Sequence, residues 1–183
     1  MQVNNNNVLK VHAIRSNSAM ARQGGASLLE GIAYLGIAAI VVMGAISLLT
    51  GAFSSAKSNQ ANEEVIGLRT AVRKLYMGQT YPTTGVVSNL IAAKAVPGTL
   101  ANSGTALKNS WGGEVAIVGA NAGFTITYPS VPKDVCISML SGANGWTSIN
   151  ANAGTVMSTF PLTAANATTL CSADDNSIVY TSS

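Results

Sequence analysis

The sequence predicts an α+β fold, with one long N-terminal helix, about 26–77, packed against an antiparallel sheet of four or five strands. Three observations predict it. From Gly31 to Phe53 there is no charged side chain, and Ile, Val, Leu, Ala, Met and Gly dominate. Beyond Phe53, Ala61, Val65, Leu68, Val72 and Leu75 recur at spacings of four and three, which sets them on one helical stripe. In the C-terminal half, short alternating apolar runs are separated by Asn, Gly and Pro, the pattern of strands joined by turns.

The first half of the helix is apolar all round. Rising about 1.5 Å per residue, it reaches across the roughly 30 Å hydrocarbon core of a bilayer. Gly36, Gly44 and Gly51 each cost a helix roughly 1 kcal/mol relative to Ala, so this half is bendable or suited to close helix–helix approach. The second half is amphipathic. Lys57, Gln60, Glu63, Arg69, Arg73 and Lys74 fall mostly away from the apolar stripe, which is the pattern of a helix lying on a globular domain.

From Gln79 to Ser110 turn residues prevail, around a short helix predicted over Val86–Ala95. Glu114–Val118 and Phe124–Tyr128 alternate as strands about an Asn121-Ala122-Gly123 turn, a hairpin. Pro132 opens a short helix through Leu140, and Thr155–Phe160 reads as a further strand. Thr163 is placed to cap a helix ending near Leu170 and Cys171. Asp174-Asp175-Asn176 reads as a turn before a last strand, Ile178–Thr181.

Charge is unevenly placed in the 183 residues. Lys10, Arg15 and Arg22 stand in residues 1–25 with no acid, which accounts for the whole net charge of +3. Beyond them seven basic and seven acidic side chains cancel. The basic balance therefore belongs to the N-terminal segment and does not point to nucleic acid. Basic residues before the span place the amino terminus in the cytoplasm. Cys136 and Cys171 then lie on the oxidising side, where an even count reads as one disulfide.

Several chemistries are excluded. His12 is the only histidine and lies in the N-terminal segment, so the rest of the chain cannot form a Ser–His–Asp, Cys–His or nitrogen-ligated zinc site. Ser54-Ser55-Ala56-Lys57 has a Ser-x-x-Lys spacing but reads as the polar rim of the span. Asp174, Asp175 and Asn176 supply too few oxygens for calcium. No phosphate-cradling glycine loop is present. The chain is expected not to be an enzyme, and to need no cofactor or metal.

One charge interrupts the pattern. Glu30 stands at the edge of the apolar run, five residues past Gly25. A carboxylate costs roughly 3 kcal/mol near the centre of a span and less toward an end, so its presence implies a second state in which it meets a partner. Residues 1–25 are polar, include the run Asn4-Asn5-Asn6-Asn7, and read as a processed leader. A secretory signal cleaved near Ser54-Ser55-Ala56 is the rival. Its apolar core would be about 7–15 residues, shorter than the run seen here.

Gly25 followed by Ala26-Ser27-Leu28-Leu29-Glu30 and a long apolar helix resembles a type IV prepilin. The leader of about 25 residues and the paired cysteines resemble the type IVb branch. Leu75-Tyr76-Met77-Gly78-Gln79-Thr80 and Asn109-Ser110-Trp111-Gly112-Gly113-Glu114 are similar to segments of bundle-forming-type pilins. The resemblance implies cleavage by a prepilin peptidase between Gly25 and Ala26, N-methylation at Ala26, and three regions: leader 1–25, filament core and span 26–53, head 54–183.

It implies a helical homopolymer, stored in the inner membrane with the head in the periplasm and then built into an extracellular pilus by the assembly machinery. The fibre would serve adhesion, aggregation or conjugative mating at a host or recipient cell surface. Glu30 would pair with the new amino group of a neighbouring subunit and set axial register. Losing one partner of such a buried pair costs roughly 3–5 kcal/mol. The resemblance also implies that the last strand lies inside the sheet, and that a Cys136–Cys171 bridge staples the two short C-terminal helices. Two other readings are a minor pilin or secretion-system pseudopilin, and an anchored binding domain that does not polymerise.

Overall fold

The structure is a computed structural model describing residues 27–120 and 122–183. The chain divides into two compact units, Met1–Met43 and Gly44–Ser183, and helix α1 (Leu28–Leu75) contributes residues to both. In the first unit the helical hydrogen bonding begins at Gly31 N–H to Ser27 C=O, 3.0 Å. No described side chain of that unit is buried.

In the second unit α1 buries Ser58, Ala61, Glu64, Val65, Leu68 and Val72, and Leu75 packs at the margin of the core. The helix stops at Leu75, two residues before the predicted end. Gly78 takes the left-handed conformation with φ +76°, and Gln79 N–H bonds back to Tyr76 C=O, which closes the last turn. Helix α2 spans Val86–Ala92, shorter than predicted because Lys94 adopts φ +51° and turns the chain.

Six antiparallel strands form one sheet: β1 (Ala101–Asn102), β2 (Leu107–Lys108), β3 (Glu114–Ala120), β4 (Gly123–Pro132), β5 (Ser148–Ala151) and β6 (Asp175–Ser182). Their order is β1-β2-β3-β4-β6-β5. The final strand lies between β4 and β5, away from the edge. The predicted count of four or five strands is corrected to six. Strands β1 and β2 have two residues each, too few to show alternation, and occupy a stretch read as turns.

The β3–β4 hairpin forms with Gly119 paired to Phe124 and Ala120 to Gly123. Gly119 also donates its N–H to Pro82 C=O at 3.0 Å, and a Cβ there would sit 2.4 Å from that oxygen. Strand β4 continues past Tyr128 by a register shift before Val131, where Ser130 has φ +59°. Pro129 conceals that continuation in the sequence.

Helix α3 (Lys133–Leu140) follows at once, and α4 (Ala164–Leu170) begins at Thr163, whose hydroxyl accepts the Asn166 N–H at 3.2 Å. The strand predicted over Thr155–Phe160 is not one. Only Met157 bridges to Ile149, and Val156 is 61% exposed. The strand in this region is β5, which offers a single large apolar residue, Ile149, among Ser148, Asn150 and Ala151. Asp175 and Asn176, read as part of a turn, open β6.

The core lies between α1 and the inner face of the sheet. Leu68, Leu107, Phe124, Ile126, Tyr128, Ile149, Ile178 and Tyr180 are all fully enclosed, with Val86 and Leu90 of α2 beside them.

Candidate assembly site

The first element is the apolar run of α1. Leu28, Leu29, Ile32, Leu35, Ile37, Ile40 and Met43 are each more than three-fifths exposed within their unit. Leu48, Leu49 and Phe53 are each more than half exposed within theirs. Apolar surface of this extent is stable only when lipid or protein covers it. A Cβ added at Gly31, Gly36, Gly44 or Gly51 would meet nothing within 4 Å. Among the described residues nothing thus requires a glycine at those positions.

Glu30 occupies the first turn of α1 and is exposed. The unpaired N–H groups of a helix start favour an anion there. Gly25 and Ala26, the residues of the expected cleavage and methylation, lie outside the described residues.

The second element joins the helix to the head. Ser54 Oγ donates to the Asp134 carboxylate, and Ser58 and Ser138 hydroxyls bond at 2.9 Å, so successive turns of α1 are tied to α3. Ser54 therefore serves as a link to α3 in place of a Ser-x-x-Lys site. Deeper in, Glu64 is 1% exposed and accepts hydrogen bonds from Gln60 Nε2 at 2.8 Å and from the Tyr128 hydroxyl. Burial, the hydrogen bond to Glu64 and its charge push the Tyr128 hydroxyl pKa far upward, so the phenol remains a donor.

Sequence reading passed over Glu64. The signal was present, because Glu64 lies three residues after Ala61 and four before Leu68, on the apolar stripe itself.

The third element ties down β6. Arg69 Nε donates to Ser182 Oγ at 3.1 Å, and Arg73 Nη2 donates to the same oxygen and to the Ser183 main-chain oxygen. The Arg69 guanidinium lies 4.7 Å from the centre of the Trp146 ring, which in turn packs on Tyr180. Partial burial, then the neighbouring Arg73, lowers the Arg69 pKa. Trp111 meets Tyr128 edge-on at the margin of the core.

Cys136 of α3 is bonded to Cys171, just past α4, with Cα atoms 5.9 Å apart and both residues fully buried. The bridge closes a loop of 35 residues. At Asp174-Asp175-Asn176 the Asn176 carboxamide is occupied by Asn152, Ala173 and Val131, so it braces a turn. Among the described residues no group of three or more His, Cys, Asp or Glu side chains could hold a metal ion.

A family model described as PilS, N terminal, matches residues 55–183. The chain belongs to this family, and with it to the type IVb pilins. The major structural subunit of the bundle-forming pilus of Escherichia coli O127:H6 is 28% identical over 178 residues, covering 85% of this chain and 92% of that protein. Its counterpart from Escherichia coli O111:H- matches to the same extent.

Among solved structures, a type IV b pilin from Salmonella typhi superposes with a TM-score of 0.50 at 25% identity, covering 64% of this chain and 95% of that one. TcpA, a type IV pilin from the Vibrio cholerae El Tor biotype, gives 0.52 at 16% identity, over 70% and 99%. The latter likeness concerns the fold.

Proposed function

We propose that this chain is the major structural subunit of a type IVb pilus, a building block with no catalytic role. The observation that carries the reading is the apolar half of α1, exposed along its length in a chain that otherwise encloses its apolar side chains well. Such a helix has two stable environments, a bilayer and a bundle of its own kind, and a pilin passes from one to the other.

In this reading a prepilin peptidase cuts between Gly25 and Ala26, Ala26 is N-methylated, and the new amine is cationic at neutral pH with an ordinary pKa near 8. Glu30 of one subunit pairs with that amine on the next. Repetition of one heterologous contact with a rise and a rotation then builds an open filament. Before assembly the amino terminus faces the cytoplasm and the head the periplasm. A cell surface is the natural target of the finished fibre.

The test is N-terminal sequencing of protein sheared from cells, together with filament yield in Glu30→Ala. A mature chain beginning at Ala26, and loss of surface filaments at unchanged expression, is the expected result. A chain beginning elsewhere, or normal filaments from the variant, defeats the register role.

A further inference from the structure

We propose that the Asn144–Gly145 turn, between α3 and β5, is a site of spontaneous covalent modification, at which the Gly145 main-chain nitrogen attacks the Asn144 side chain and turns its amide into a carboxylate. Both residues are exposed. Gly145 adopts φ +78°, and its N–H is drawn to Asn144 Oδ1 at 2.6 Å, which holds the attacking nitrogen against the group it attacks. Residue 145 has no side chain to shield the nitrogen, and a Cβ there would meet only the Arg69 guanidinium, 3.2 Å away. A cation on that side of Gly145 favours the deprotonated nitrogen needed for attack.

Four other asparagines that precede small residues, Asn102, Asn109, Asn152 and Asn176, are held differently. Asn109 is 5% exposed, donates to Pro129 C=O at 2.6 Å and accepts from the Trp111 and Gly113 N–H groups. Asn152 and Asn176 bond to each other, and Asn152 also accepts from Ser177 N–H. Asn102 accepts from Gly104 N–H, two residues on. In none of these does the recorded side-chain bond engage the next nitrogen in the chain.

The step balances without an oxidant. The Gly145 N–H loses its proton to solvent base, and the nitrogen bonds to Asn144 Cγ. The Cγ–Nδ2 bond breaks, and the leaving nitrogen takes up a proton and departs as ammonia. Water then opens the cyclic imide. Opening at Cγ gives an aspartyl residue at position 144, and opening at the main-chain carbonyl carbon gives an isoaspartyl linkage. One water is consumed and one ammonia released. The product adds a carboxylate one residue before Gly145, the glycine that faces the Arg69 guanidinium.

The test incubates purified full-length protein in mildly alkaline buffer, follows the peptide containing residue 144 by mass spectrometry, and detects isoaspartate by enzymatic methyl transfer. Expected is conversion at Asn144 on the order of tenfold or more faster than at exposed Asn102, faster at higher pH, slowed in Arg69→Gln and absent in Asn144→Gln. Two results would overturn the site: amide retention at Asn144 equal to that at Asn102, or equally rapid conversion in the urea-unfolded chain. An unchanged rate in Arg69→Gln would overturn the role given to that cation.

Discussion

On either side of Phe53 the same helix obeys two different rules. Before it, Leu35 is 72% exposed and Leu49 55%, each among the described residues of its own unit. After it, Val65 is 2% exposed, and Leu68 and Val72 are fully buried against the sheet. The side chains are chemically alike, so residue type does not account for the difference. Spacing does. Apolar residues on all sides of a helix need an environment on all sides, which one small domain cannot provide. Apolar residues on one stripe need a single surface, and the sheet is that surface. The lesson is that stability of the head is written into the stripe beyond Phe53, and that the proposed function assigns cohesion of the filament to the apolar run before it.

A matched pair of substitutions tests this separation and carries the largest expected contrast. Leu68→Ala should destabilise the head by about 2–5 kcal/mol, read from denaturant unfolding of the detergent-solubilised protein. Leu35→Ala should leave that transition where it is and lower filament yield instead. Equal effects of the two changes on head unfolding would break the comparison.

The disulfide sharpens it from the other side, since it acts on the head alone. Cys136→Ser should cost roughly 3–4 kcal/mol by freeing a loop of 35 residues in the unfolded chain. The loss should appear as accumulation of degraded protein outside the cytoplasm, with membrane insertion of the helix unaffected. Next comes Tyr128→Phe, which deprives buried Glu64 of one donor while Gln60 remains. A loss of about 1.5–3 kcal/mol is expected, without change in the sheet by circular dichroism.

Much of this was legible in advance. The apolar run, the stripe on α1, the β3–β4 hairpin and the capped α4 each rest on local pattern, and local pattern is what a sequence shows directly. What was hidden depends on partners distant in the chain. Strand β5 has one large apolar residue, and it is a strand because β6 lies beside it to receive Ser148, Ile149, Asn150 and Ala151. Thr155–Phe160 is rich in β-branched and aromatic residues, yet Asn152 and Ala153 turn the chain with positive φ and only Met157 pairs, with Ile149.

Arg69 and Arg73 fall away from the apolar stripe, yet they hold residues more than a hundred positions further on. For the candidate assembly site, Glu30 was conspicuous because a charge in an apolar run stands out locally. Glu64 was less so, because its meaning requires Tyr128 from the opposite layer.

The smallest predicted effect tests whether local pattern alone is sufficient where it was read correctly. Thr163 caps α4 through one bond to the Asn166 N–H, the only hydrogen bond of its side chain among the described residues. Thr163→Ala should cost about 1 kcal/mol, and Thr163→Ser should restore it, because the hydroxyl is what the helix start requires. The bridge at Cys171 holds the other end of the same helix, so fraying at Ala164–Asn166 should show in amide exchange before any change in global unfolding. If Thr163→Ala instead destabilises the whole head as strongly as Leu68→Ala, then α4 belongs to the cooperative core, and the boundary between locally and globally determined structure must be drawn nearer to the surface.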